Sequence, residues 1–148
     1  MQRSGLVRGP WIWWPALVAV VVAGCSDPNR PYPVSGTVIF ENGEPAREAA
    51  GGTITFNSAE LKKSSVGEIQ PDGTFRLTTT RKDDGAPPGR YKVTVMNPLP
   101  PDNPGQPAPK RVIDRRYESL QTTDLEETVQ PKSNDILLKV KRAGIAKK

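Results

Sequence analysis

Beyond its first 24 residues this chain alternates apolar and polar side chains with a period of two and shows no helical period, which limits the fold more than any other feature. Tyr91, Val93 and Val95 alternate with Lys92 and Thr94, Ile54 and Phe56 alternate with Thr53 and Thr55, and Ile136, Leu138 and Val140 share one face. Successive side chains of a strand point to opposite faces, so each run offers one apolar face to a core. Residues 34–40 bring Val38 and Phe40 to such a face and stop at Asn42 and Gly43, a pair that tolerates positive φ. Residues 64–70 lead through Pro71, Asp72 and Gly73 into residues 74–80, which predicts a tight hairpin with Phe75 and Leu77 inward. Residues 112–130 are less regular: Tyr117 is expected on the core, Thr122 to Asp124 at a bend, and residues 125–129 in a short strand. About seven short strands spaced by turns predict an all-β fold, a single antiparallel β-sandwich.

One stretch cannot join a central strand. Pro98, Pro100, Pro101, Pro104, Pro107 and Pro109 fall within residues 98–109, a composition that favours extended polyproline II. Such a segment suits docking into an aromatic-lined groove of a partner. Its other reading is a stiff connection between strands at opposite ends, or in opposite sheets, of the sandwich.

The amino-terminal residues 1–24 have the layout of a signal peptide. Arg3 and Arg8 give a basic start, residues 11–23 an apolar run, and Ala23 and Gly24 small residues before Cys25, the chain's one cysteine. The run contains Pro15 and falls short of the roughly 20 residues that cross a bilayer. Val22-Ala23-Gly24-Cys25 resembles the lipobox of bacterial lipoproteins. The resemblance implies that the Cys25 thiol carries diacylglycerol, that the signal is cut just before it, and that the new amino terminus is acylated. Several acyl chains anchor stably where one does not. An uncleaved anchor and a soluble secreted protein with Cys25 as a bystander are the alternatives. The lipid would hold the protein on a membrane, facing the periplasm or the cell exterior. In a Gram-negative host Ser26 implies the outer membrane.

The remaining chain divides into a lipidated tether at 25–33, a sandwich at 34–142 and a basic tail at 143–148. Without Arg3 and Arg8 it has 19 basic against 16 acidic residues, a net charge near +3 that is too small and dispersed for nucleic acid. Lys139, Lys141, Arg142, Lys147 and Lys148 are expected to solvate the last strand and its tail. With Cys25 consumed by lipid no disulfide is available, so stability rests on packed side chains.

The order Val34-Ser-Gly-Thr-Val38, Asn42-Gly-Glu-Pro45, Pro71-Asp-Gly-Thr-Phe75 and Gly85-Ala-Pro-Pro-Gly-Arg-Tyr-Lys-Val93 resembles the carboxypeptidase-regulatory-like and transthyretin-like β-sandwich domains. It is most similar to the small lipoproteins of this kind in planctomycete bacteria. Arg116-Tyr117 and Thr122-Thr-Asp-Leu125 also suit that group, and the resemblance spans residues 33–142. It implies a fold and no catalytic set, and the transthyretin-like hydrolases depend on histidines that this chain lacks.

Several chemistries are disfavoured from the residues alone. There is no histidine, the commonest general base and metal ligand, and the single cysteine leaves no thiolate zinc site. No Gly-x-Ser-x-Gly elbow and no phosphate-cradling glycine loop is present. Asp83, Asp84 and Gly85, with Asp72 on another turn, are the one grouping that could bind Ca²⁺, but their spacing matches no EF-hand. Glu126 and Glu127 alternate faces on a strand, which disfavours a two-carboxylate glycosidase. Tyr32, Tyr91 and Tyr117 could stack on sugar rings, although Tyr91 has core periodicity. These residues lead to a non-catalytic, membrane-anchored lipoprotein of the cell envelope, needing no cofactor or metal, that acts as a binding or structural module, with an envelope protein or a glycan as partner. A carbohydrate-binding accessory domain is the second expectation, and an enzyme acting on envelope polymers the third.

Overall fold

Strands form where the alternation predicts them. They are β1 (Val34–Phe40), β2 (Thr53–Ser58), β3 (Lys63–Glu68), β4 (Thr74–Arg76), β5 (Gly89–Met96), β6 (Glu126–Val129) and β7 (Asn134–Val140). Two short 3-10 turns, Arg47–Ala49 and Arg115–Glu118, complete the elements. The computed structural model describes residue 27 and residues 29–99 and 110–144. Cys25, and Pro100, Pro101, Pro104, Pro107 and Pro109, lie outside the described residues.

The strands build two sheets, β4-β1-β7 and β3-β2-β5-β6, packed as an all-β sandwich. The inward residues follow period two: Val34, Val38 and Phe40 from β1, Ile136, Leu138 and Val140 from β7, and Ile54, Phe56, Tyr91, Val93 and Val95 from the facing sheet. At the centre Phe56 meets Phe75 from across the core at 6.3 Å and Tyr91 beside it at 5.8 Å, between ring centroids. Tilted aromatic contacts of this kind add to plain burial. Gly36 makes room for that cluster: a Cβ there would lie 2.7 Å from the Phe75 ring and 2.1 Å from the Ile136 carbonyl.

Two expectations about pairing are corrected. The turn at 71–73 forms, with Gly73 at φ +87° and the Gly73 amide donating to Gln70 O, but its arms do not make a two-stranded ladder. β3 stays with β2, whereas β4 pairs antiparallel with β1 (Gly36 opposite Phe75) in the other sheet. β4 is also shorter than residues 74–80: the Leu77 amide still donates to Val34 O, and Thr78 then crosses to bond Val66 in both directions at 2.8 Å. Phe75 and Leu77 must enter the core between the sheets, which pulls this arm off β3. The second correction concerns β1 and β7, which run parallel, in register from Val34 opposite Asn134 to Phe40 opposite Val140. After β6 the chain changes sheets through a turn closed by Asn134, whose side chain accepts from the Gln130 amide and donates to the Gln130 and Lys132 carbonyls. It then enters β7 beside the start of β1.

Candidate functional site

The chain joins the fold before β1. Tyr32 exchanges both backbone hydrogen bonds with Ala86, at 2.9 and 3.0 Å, and the Arg30 guanidinium lies 5.8 Å from the centre of its ring. Pro33 O accepts from the Asn134 amide. Among the described residues no helix is long and apolar enough to cross a membrane.

The aspartates singled out in the sequence are occupied by the backbone around them. Both Asp84 oxygens take amides: Oδ1 accepts from Thr79 N at 2.7 Å, and Oδ2 from Thr80 N at 3.0 Å and Arg81 N at 2.8 Å. Burial pushes this carboxyl up, but the Thr79, Arg81 and Thr80 amides together outweigh it and hold it below the usual carboxylate range. Thr79 locks the same loop, its hydroxyl lying 2.6 Å from both Gly85 O and the Ser65 hydroxyl. Asp72 is held low by its bonds from the Thr74 hydroxyl, at 2.6 Å, and the Thr74 amide, at 2.9 Å. These are turn-closing contacts, and no group of three or more metal-ligating side chains forms among the described residues.

Glu126 and Glu127 do take opposite faces of β6. Glu126 is exposed opposite Lys92, while Glu127 is half-buried opposite Tyr91, and burial raises its carboxyl above the usual range. Of the tyrosines, Tyr91 and Tyr117 are core residues at 2 % and 3 % exposure. The Tyr91 hydroxyl donates to Pro87 O at 2.7 Å and its pKa is pushed up by burial to about 12. The Tyr117 hydroxyl accepts from the Lys141 amide at 3.2 Å. Neither ring offers a face to a sugar.

Pro98 is the one proline of the 98–109 segment that is described, and Asn97 just before it holds the chain that follows the segment, at Val112 and Ile113. Its Oδ1 accepts from the Val112 and Ile113 amides at 2.8 and 2.9 Å, and its Nδ2 donates to Ile113 O at 2.9 Å and to Glu118 Oε1 at 3.1 Å. Asn97 and residues 112–113, which flank the segment, therefore sit side by side. Asn97 follows β5, and Ile113 bridges Arg142 just beyond β7 in the other sheet. An Asn before a proline reads in the sequence as a strand end, which hid this role.

The two flanks of the sandwich differ. On the β3/β4 flank, the Val66–Thr78 bridge and the Asp84 loop close the seam, leaving an open groove of about 840 Å³ lined by Val66, Glu68, Arg76, Lys82 and Asp83, among others. On the β6/β7 flank the strands share no ladder. Asn134 N donates to Pro33 O, so in the parallel ladder the amides and carbonyls of Asn134, Ile136, Leu138 and Val140 turn toward β1, and those of Asp135, Leu137 and Lys139 turn away. The strand's continuation confirms this parity: on the outward side, Lys141 O accepts from Asp114 N and Ala143 N donates to Val112 O. Between that cap and the turn before Asn134, the edge of β7 has no backbone partner among the described residues. Leu137, 61 % exposed, is its midpoint. Leu137 directly beside two strand-face apolar residues was the sequence signal for it.

The basic residues near this end are partly committed. Lys141 pairs with Glu41, and Arg142 with Glu44 and Glu48 while covering the Phe40 ring at 3.8 Å. Lys147 and Lys148 lie outside the described residues, and Lys139 makes no ion pair among the described ones. No buried side-chain nitrogen or oxygen among the described residues lacks a hydrogen-bond partner. Compared with known protein families, curated proteins and solved structures, the chain matches none.

Proposed function

We propose that this chain is a non-catalytic lipoprotein of the cell envelope, anchored through Cys25 and facing the periplasm or the cell exterior, where its sandwich serves as a binding or structural module. One observation carries the reading: the chain's single cysteine directly follows Val22-Ala23-Gly24 at the end of a short apolar run with a basic start. Between Cys25 and Tyr32, which pairs with Ala86, the chain extends at most about 25 Å, so the domain stays close to the bilayer. Confinement there raises its effective concentration toward partners in the same plane. The absence of histidine and the use of the Asp72 and Asp84 carboxylates as turn-closing acceptors support the non-catalytic part. The partner is an envelope protein or a glycan, and a glycan would be met without the rings of Tyr91 and Tyr117. The segment 98–109, flanked by Asn97 and by the Val112 and Ile113 that Asn97 holds, is proposed as a contact for a protein partner.

Membrane fractionation with intact-mass analysis tests the anchor. The expected result is a chain in the membrane fraction that begins at Cys25 and carries the added mass of acyl chains, with Cys25→Ser moving to the soluble fraction or keeping its signal. An unmodified Cys25, or an unchanged distribution of Cys25→Ser, would overturn the reading.

A further inference from the structure

The open edge of β7 is self-complementary. Asp135, Leu137 and Lys139 send their amides and carbonyls outward and their side chains to the exposed face of the sheet. We infer that this edge pairs with the same edge of a second copy, antiparallel about a two-fold axis at Leu137. In that register each Leu137 exchanges both backbone bonds with its counterpart, and each Asp135 does so with the other copy's Lys139. Cα atoms of such hydrogen-bonded pairs lie about 5.5 Å apart, with directly opposed side chains in contact. Acid thus meets base on both sides of a leucine pair, and the contact is isologous, as a closed dimer requires.

Charged residues on an edge ordinarily discourage strand addition. Here their order has the opposite effect, because reversal of the strand maps Asp135 onto Lys139. A slip of two residues in either direction sets Leu137 against a charge. A slip of one opposes outward-pointing groups to inward-pointing ones and puts side chains on the wrong faces. The ends of the edge also limit the partner. The turn closed by Asn134 bounds it at one end and the 112–114 segment at the other, so the overlap runs from Asp135 to Lys139. Neither charge has an ion-pair partner among the described residues that the second copy would need to displace. So short an overlap buries less than the roughly 1,200 Å² of a standard interface, and covalent trapping is therefore the suitable assay. The inference does not depend on the lipid anchor.

Leu137→Cys in the full-length chain places two thiols across the axis within disulfide reach. After mild oxidation most of this variant is expected to run as a covalent dimer, with the parent chain accounting for any crosslink through Cys25. Leu120→Cys, exposed but off the edge, is expected to match the parent. Adding Asp135→Lys to Leu137→Cys is expected to lower the dimer yield about tenfold, and adding Lys139→Asp as well to restore it. All these positions are exposed, and circular dichroism verifies the fold of each variant. A Leu137→Cys yield no higher than that of Leu120→Cys, or one indifferent to the charge changes, overturns the pairing.

Discussion

The β3/β4 flank and the β6/β7 flank of this sandwich begin from the same problem and solve it differently. Each brings together edge strands of opposite sheets. On the first flank the chain crosses directly between them, and Thr78 bonds Val66, Thr79 bonds Gly85 and Ser65, and Asp84 gathers the following amides. On the second, one turn fastened by Asn134 makes the crossing, Glu127 stands half-buried on the inner side, and Leu137 stands exposed on the outer. An inward-facing charge such as Glu127 is a usual protection of an open edge, whereas Asp135 and Lys139 are ordered so that they match on reversal of the strand. The comparison teaches that local backbone closure, rather than hydrophobic content, decides which flank is available to another chain.

The largest expected effect is on the closed flank. Asp84→Ala removes the acceptor of three amides and is expected to cost about 2 kcal/mol in urea unfolding, allowing for partial exposure. Because the folded carboxyl sits below its ordinary value, this contribution is present above about pH 4 and is lost as pH falls through the folded value. The difference between parent and Asp84→Ala should therefore shrink in acid. Asn134→Ala attacks the side-chain fastening of the turn on the open flank and is expected to cost about 1–2 kcal/mol, with faster amide exchange at 130–134 and no change at 64–68. Glu127→Gln acts in the opposite direction. A carboxyl raised by burial favours the folded state only when protonated, so the substitution is expected to stabilise at neutral pH by less than about 1 kcal/mol and to have no effect well below pH 4. Leu137→Ser should shift stability by no more than about 0.5 kcal/mol. If Leu137→Ser cost as much as Asp84→Ala, the distinction between the flanks would disappear.

Much of this was legible in the sequence because period two is a local property. The inward faces of β1, β2, β5 and β7, the turns at Gly43 and Gly73, the burial of Tyr117 and the short strand at β6 all follow from neighbouring residues. What was not legible depends on residues far apart. The arms of the 71–73 turn part because Phe75 and Leu77 are drawn between the sheets, and β7 runs parallel to β1 because Asn134 returns the chain beside Pro33. Asp84 reads in sequence as one of two loop acids, and only the fold shows three amides converging on it. Asn97 looks like a strand end, and only the fold shows it clasping Val112 and Ile113.

Native-state hydrogen exchange along β7, read residue by residue in dilute protein, tests the difference between the flanks most directly. The expected pattern alternates: slow exchange at Ile136, Leu138 and Val140, whose amides face β1, and fast exchange at Asp135, Leu137 and Lys139, against uniformly slow exchange at Val66 and Thr78 on the closed flank. Slow exchange at Leu137 that persists on dilution would mean that the chain itself covers this edge, and would contradict the account.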